Sequence, residues 1–120
     1  MSQVIICHCT NCKRNTGSGF SANIVVPKSS FEYTKGSPKV YVDRSDKDVR
    51  VLREFCSDCG TPFTSSSDDV EFAVKSGTLD EEHRLNCANL ASEIWHNRKD
   101  KWVDQLRDER VRKINGSMGA

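Results

Sequence analysis

Apolar residues recur at a period of two between residues 19 and 76. A run from Phe20 closes with Ile24, Val25 and Val26 and stops at Pro27. Phe31 and Tyr33 alternate with Glu32 and Thr34 ahead of Gly36-Ser37-Pro38, and Val40 and Val42 alternate with Tyr41. Val49, Val51 and Arg53 alternate with Arg50, Leu52 and Glu54 as far as Phe55. Val70, Phe72 and Val74 alternate with Glu71, Ala73 and Lys75. Side chains of a strand point alternately to its two faces, so runs of this length, bounded by Gly, Pro and Ser, predict short antiparallel strands and hairpins. The helical period of about 3.6 is missing from this stretch.

Beyond residue 76 the pattern loosens. Gly77-Thr78-Leu79-Asp80 reads as a turn. Val103, Leu106, Arg107, Arg110, Val111 and Ile114 form a weak stripe at helical spacing, and Asp108 with Arg112 is an i,i+4 pair that would support a helix. Residues 116–120 read as a frayed end. Residues 1–18 hold a cysteine cluster followed by Lys13-Arg14 and a turn at Gly17 and Gly19. The expectation is a mainly β domain over residues 1–103 and a C-terminal helical tail over 104–120 that packs or is solvated rather than reading nucleic acid.

Composition narrows the partners. The 120 residues carry 18 Lys plus Arg against 17 Asp plus Glu, a net charge of +1, so no basic field exists to hold nucleic acid. Val4-Ile5-Ile6 is too short for the apolar region of a signal peptide, and no run approaches the ~18 apolar residues that span a bilayer. The expected location is the cytoplasm or the nucleus, where thiols stay reduced. A chain of this size buries a modest core, so additional staples are expected.

Cysteine supplies such staples. Five of six cysteines fall in two clusters: Cys7-His8-Cys9-Thr10-Asn11-Cys12, or C-x-C-x2-C, and Cys56-Ser57-Asp58-Cys59-Gly60, or C-x2-C-G. A two-residue gap lets both sulfurs of a tight turn face one ion, with the turn amides donating to the thiolates. Soft thiolates in this spacing point to zinc; the spacing does not match iron–sulfur runs. Two arrangements stay open. Cys9, Cys12, Cys56 and Cys59 can close one structural site, which leaves Cys7 without a role. Alternatively Cys7, Cys9 and Cys12 hold a zinc with an open fourth position, which leaves Cys56 and Cys59 without partners. His83 and Cys87, four apart, are a possible completion of the second pair. His8 alternates in direction with its cysteine neighbours and need not be a ligand, and His96 has no evident partner.

The segment Cys7-His8-Cys9-Thr10-Asn11-Cys12-Lys13-Arg14-Asn15-Thr16-Gly17 resembles the C-H-C-x2-C-R-R-x-T-G motif of glutathione-dependent formaldehyde-activating enzymes, a family that includes centromere protein V. Phe55-Cys56-Ser57-Asp58-Cys59-Gly60-Thr61-Pro62 resembles its F-C-x2-C-G-T/S-P motif. Gly77-Thr78-Leu79-Asp80 and Glu93-Ile94-Trp95 are similar to weaker late motifs, and the similarity covers about residues 5–103. The resemblance implies Mss4-like folded antiparallel β-sheets pinned by zinc. It implies an active-site zinc on Cys7, Cys9 and Cys12, and a structural zinc half-held by Cys56 and Cys59. The implied activity is a carbon–sulfur lyase that joins formaldehyde and glutathione, with a small-molecule thiol or its adduct as partner. The family's upstream C-x-C-G motif, which supplies the other structural ligands, does not precede Cys7. The expectation is therefore either an N-terminally incomplete chain or a structural site rebuilt or lost. A non-catalytic zinc module that binds a protein partner is the alternative function.

Overall fold

The computed structural model describes residues 3–118. Seven strands form one sheet: β1 (Gln3–Cys7), β2 (Ser21–Pro27), β3 (Lys39–Arg44), β4 (Arg50–Phe55), β5 (Pro62–Ser66), β6 (Glu71–Lys75) and β7 (Asn89–Ile94). Two short helices accompany them, α1 (Thr10–Thr16) and α2 (Glu81–Leu85). The strand order is β3-β4-β5-β6-β2-β1-β7. The protein is mainly β, as the period-two pattern predicts. Every neighbouring pair is antiparallel except β1 with β7, so the sheet is mixed. A parallel pair needs a long crossover, and here almost the whole domain lies between its two strands.

The strands expected at Phe20–Val26, Val40–Val42, Val49–Phe55 and Val70–Val74 form as β2, β3, β4 and β6. The alternation at Phe31 and Tyr33 does not make a strand. After a 3-10 turn at Lys28–Ser30 the chain is extended at Phe31 but pairs with no ladder. Its two rings instead pack on the sheet, Phe31 on Phe72 at 5.2 Å and Tyr33 on Phe63 at 5.9 Å between centroids. Alternation here places two rings on one side, which a period of two achieves without a partner strand.

The helical stripe from Val103 to Ile114 is likewise corrected. A helical segment closes the domain as a 3-10 run, Lys101–Arg107, and does not continue. Asp108 takes Arg110 at 2.7 Å rather than Arg112. Leu106, Val111 and Ile114 all remain exposed, and a short helix with no buried face does not pay back its nucleation. No helix among the described residues is long and apolar enough to cross a membrane.

Cross-strand partners share a face. Cys7 pairs with Ser21, Asn23 with Lys75, and Arg53 with Ser65, so these six side chains lie on one side of the sheet. Ile24, Val74 and Thr64 lie on the other. Among the described residues Cys7, Ile24 and Val74 are the buried apolar core, while His8, Ser21, Asn23, Arg53, Thr64, Ser66 and Lys75 are buried and polar. Much of the interior is thus held by hydrogen bonds, and each buried polar group there needs its partner.

Two consequences are measurable. On the apolar side Tyr33 Oη donates to Glu54 Oε1 at 3.1 Å, an oxygen that also accepts from Thr64 Oγ1 at 2.8 Å. Burial and the Glu54 carboxylate push the Tyr33 phenol up to about 12. The neutral phenol is the form the fold favours, so this stabilisation is present below the ordinary phenol range near pH ~10 and is lost as the pH rises towards 12. Ultraviolet titration of a Tyr41→Phe variant should show phenolate forming near the higher value; a midpoint at the ordinary value would refute the contact. Separately, a Cβ on Gly19 would overlap the Trp102 ring. Trp102 is exposed and its ring can swing aside, so Gly19→Ala should lower stability by about 1 kcal/mol in chemical denaturation, the low end of overpacking costs.

Candidate metal centre

The first cysteine cluster folds as a strand-to-helix turn. Cys7 ends β1 and is buried opposite Ser21. Cys9 is the N-cap of α1 in an extended conformation, and its Sγ accepts the Cys12 N–H at 3.2 Å. A side chain at this position ordinarily accepts the N–H two or three residues on, which is the contact a C-x2-C spacing permits. The helix stops at Gly17, whose φ of 65° is the left-handed conformation that favours glycine. The three sulfurs of Cys7, Cys9 and Cys12 all lie within 4.8 Å of one another. They form a group able to hold a metal ion.

His8 points away from them. It is fully buried, and its Nε2 lies 2.8 Å from Glu93 Oε1. Its ring stands edge-on to Phe20 and His96. The hydrogen bond from His8 holds the Glu93 carboxyl below its ordinary range. His96 therefore has a partner that its isolated place in the sequence did not disclose.

Beneath the sulfurs lie two buried cations that the spacing of cysteines gave no reason to select. Arg53 donates through Nε to Asp43 Oδ2 at 2.8 Å and through Nη1 to Ser65 Oγ at 3.2 Å, and Nη1 lies 3.9 Å from Cys12 Sγ. Lys75 Nζ donates to Asn23 Oδ1 at 2.9 Å and to Ser65 Oγ at 3.0 Å. Hydrogen bonds from Cys7 and Cys9, then the Arg53 charge, draw the Cys12 thiol well below its ordinary range. The same contacts with Cys12 push Cys7 and Cys9 up. One available signal was the run of polar residues at alternate positions of the strands, Ser21, Asn23, Arg53, Ser65 and Lys75, all on the face that carries Cys7.

Two cavities flank the sulfurs. One of about 160 Å³ is lined by all three cysteines with Arg53, Trp95 and Arg98. Trp95 adopts a φ of 52°, uncommon for a bulky residue and a form of strain that clusters at functional sites. Its ring carries the Arg98 guanidinium at 4.8 Å, and Arg98 also pairs with Asp46. The other, of about 300 Å³, is lined by Cys7 and Cys12 together with Ser65 and Lys75.

The second cluster is separate. Cys56 and Cys59 sit in a tight turn after β4, closed by Gly60 N–H to the Cys56 carbonyl at 2.9 Å, with Gly60 at φ 77°. Cys59 Sγ lies 3.0 Å from Thr61 Oγ1. Among the described residues these two thiols gather no third ligand, so the closed arrangement of Cys9, Cys12, Cys56 and Cys59 is not formed. His83 and Cys87 do not complete the pair either. His83 faces Asp80 at 3.5 Å, and Cys87 Sγ donates to the His83 carbonyl at 3.3 Å, so the i,i+4 spacing is used within its own helical turn.

Fold and site together define a mainly β domain with a three-cysteine group, able to hold a metal ion, at a strand-to-helix turn beside a cavity. The family profile described as glutathione-dependent formaldehyde-activating enzyme matches residues 1–98, and the chain belongs to this family. No curated protein gives a significant match to the sequence.

Proposed function

We propose that the protein is a zinc-dependent carbon–sulfur lyase that forms and cleaves S-hydroxymethylglutathione or a related thiol adduct. The observation that carries this reading is the convergence of the Cys7, Cys9 and Cys12 sulfurs beside a cavity. Their chemistry fits zinc: sulfurs ~2.3 Å from a tetrahedral ion lie about 3.8 Å apart, within a small tightening of the separations found here. Zinc, when bound, supplies an open position where an external thiol ionises near neutral pH and a Lewis acid that polarises a small carbonyl.

The chain's own residues do the rest. Cys7, Cys9 and Cys12 serve as the three protein ligands. The cavity between them and Trp95 admits the thiol and its aldehyde. Arg53 Nη1, 3.9 Å from Cys12 Sγ, offers that sulfur a donor. In the forward direction the thiol gives up its proton, its sulfur bonds to the formaldehyde carbon, and the carbonyl oxygen takes a proton to become the hydroxyl. Cleavage reverses these events. On this reading Cys56 and Cys59 are half of a separate structural zinc site.

The test is nuclear magnetic resonance of zinc-loaded protein with glutathione and formaldehyde. Adduct formation and exchange faster than in protein-free buffer are expected; equal rates would overturn the proposal.

A further inference from the structure

We infer that Lys75 is a positioning residue whose buried ammonium supplies the positive charge that lets an external anionic thiolate join the three cysteine sulfurs. This rests on the zinc reading above and adds a residue to it. Lys75 is 5% exposed. Burial lowers its affinity for a proton, so its surroundings must favour the charge for it to persist. Its two hydrogen-bond acceptors, Asn23 Oδ1 and Ser65 Oγ, are both neutral. No ion pair among the described residues includes it. A buried cation without a counter-charge is costly. Geometry places Lys75 with the sulfurs: one cavity is lined by Lys75, Cys7 and Cys12, with the carboxylates of Asp69 and Glu71 also on its wall and neither paired with Lys75.

The charge count explains why such a cation is useful. Three thiolates around a zinc dication leave one net negative charge, and an external thiolate raises this to two. Arg53 contributes little net charge because Asp43 lies against it at 2.8 Å. Lys75 is the uncompensated positive charge, and it lines the cavity that Cys7 and Cys12 also line. The register supports this placement: Asn23 is the cross-strand partner of Lys75, and both share the face that carries Cys7. A lysine placed for stability alone would have a carboxylate partner or reach solvent.

The experiment uses the full chain loaded with cobalt in place of zinc. Its cobalt–thiolate absorption is titrated with glutathione, which binds as an anion, and with imidazole, which binds neutral. Lys75→Gln keeps an amide donor for Asn23 and Ser65 but removes the charge. It should weaken glutathione binding at least about tenfold while changing imidazole binding less than about twofold. Lys75→Arg should restore most of the glutathione affinity.

Ser65→Asp gives an independent reading, because Ser65 accepts from both Arg53 and Lys75. A carboxylate there should neutralise Lys75, weaken glutathione binding likewise, and raise the stability of the metal-free chain. Equal loss for both ligands, or undiminished glutathione affinity in both Lys75→Gln and Ser65→Asp, would overturn the role of Lys75. Wild-type protein without cobalt–thiolate absorption would overturn the zinc reading itself, and this inference with it.

Discussion

Cys12→Ser is expected to remove one metal ion per chain and to return the glutathione–formaldehyde reaction to its uncatalysed rate. Cys12 is the sulfur on which the local contacts converge. Its Sγ lies within 4.8 Å of both other sulfurs, and Arg53 reaches it at 3.9 Å. Two thiolates make a poor zinc site, so the loss of affinity should exceed the ~10–100-fold that follows from removing an outer partner of a metal ligand. The fold should survive. The Cys9 cap uses the Cys12 backbone N–H rather than its side chain, so α1 keeps its N-terminus. Native mass spectrometry of the variant beside the wild type reads the metal count, and the exchange assay reads the rate. Unchanged metal content together with unchanged turnover would show that the three-cysteine group is not the reactive centre.

Arg53→Met should be the most damaging substitution outside the cysteines. The Arg53 side chain is 5% exposed and its partner Asp43 is 19% exposed. Removing the guanidinium leaves Asp43 largely buried with its charge unmatched, and Ser65 and Cys12 each lose a donor. Breaking a buried pair from one side costs about 3–5 kcal/mol, and the residual exposure of Asp43 places the expected value at the low end. Adding Asp43→Leu should recover much of this loss, because an apolar pair of similar size tolerates burial better than a lone charge. Urea denaturation of the single and double variants measures both effects. A single-variant loss below about 1 kcal/mol would mean that Asp43 finds water or another partner.

The contrast between the two substitutions marks where the sequence was legible. The Cys7–Cys12 cluster is local. Residues three apart at a helix start face the same side, and the strand before them alternates, so spacing alone brings the sulfurs together and turns His8 away. β4 and β6 were legible for a similar reason, since each shows its own face in its own alternation, and β2 as an apolar run stopped by Pro27. β5 was not: Pro62-Phe63-Thr64-Ser65-Ser66 has few β-formers and is a strand because β4 and β6 hydrogen-bond to it from either side. β7 owes its place to β1 in the same way.

The late helix failed for the converse reason. The stripe from Val103 to Ile114 has the right spacing, but Leu106, Val111 and Ile114 stay exposed, so only the 3-10 run at Lys101–Arg107 forms. Phe31 and Tyr33 show the same limit in a strand-like segment: alternation specifies which side the rings take, and only a neighbouring edge can make the segment a strand.

By itself the sequence determined a mainly β domain, its family, and the local turn that carries Cys7, Cys9 and Cys12, because strand alternation and that turn depend on backbone geometry within a few residues; it left open whether these thiols stand alone or share a site with Cys56 and Cys59. Only the tertiary structure decided that Arg53 and Lys75 lie under those sulfurs, that β7 runs parallel to β1, and that Cys56 and Cys59 stand apart. These outcomes depend on the pairing of strands distant in the chain. The register across β1, β2, β6, β5 and β4 sets which side chains share a face, and no short-range spacing encodes it.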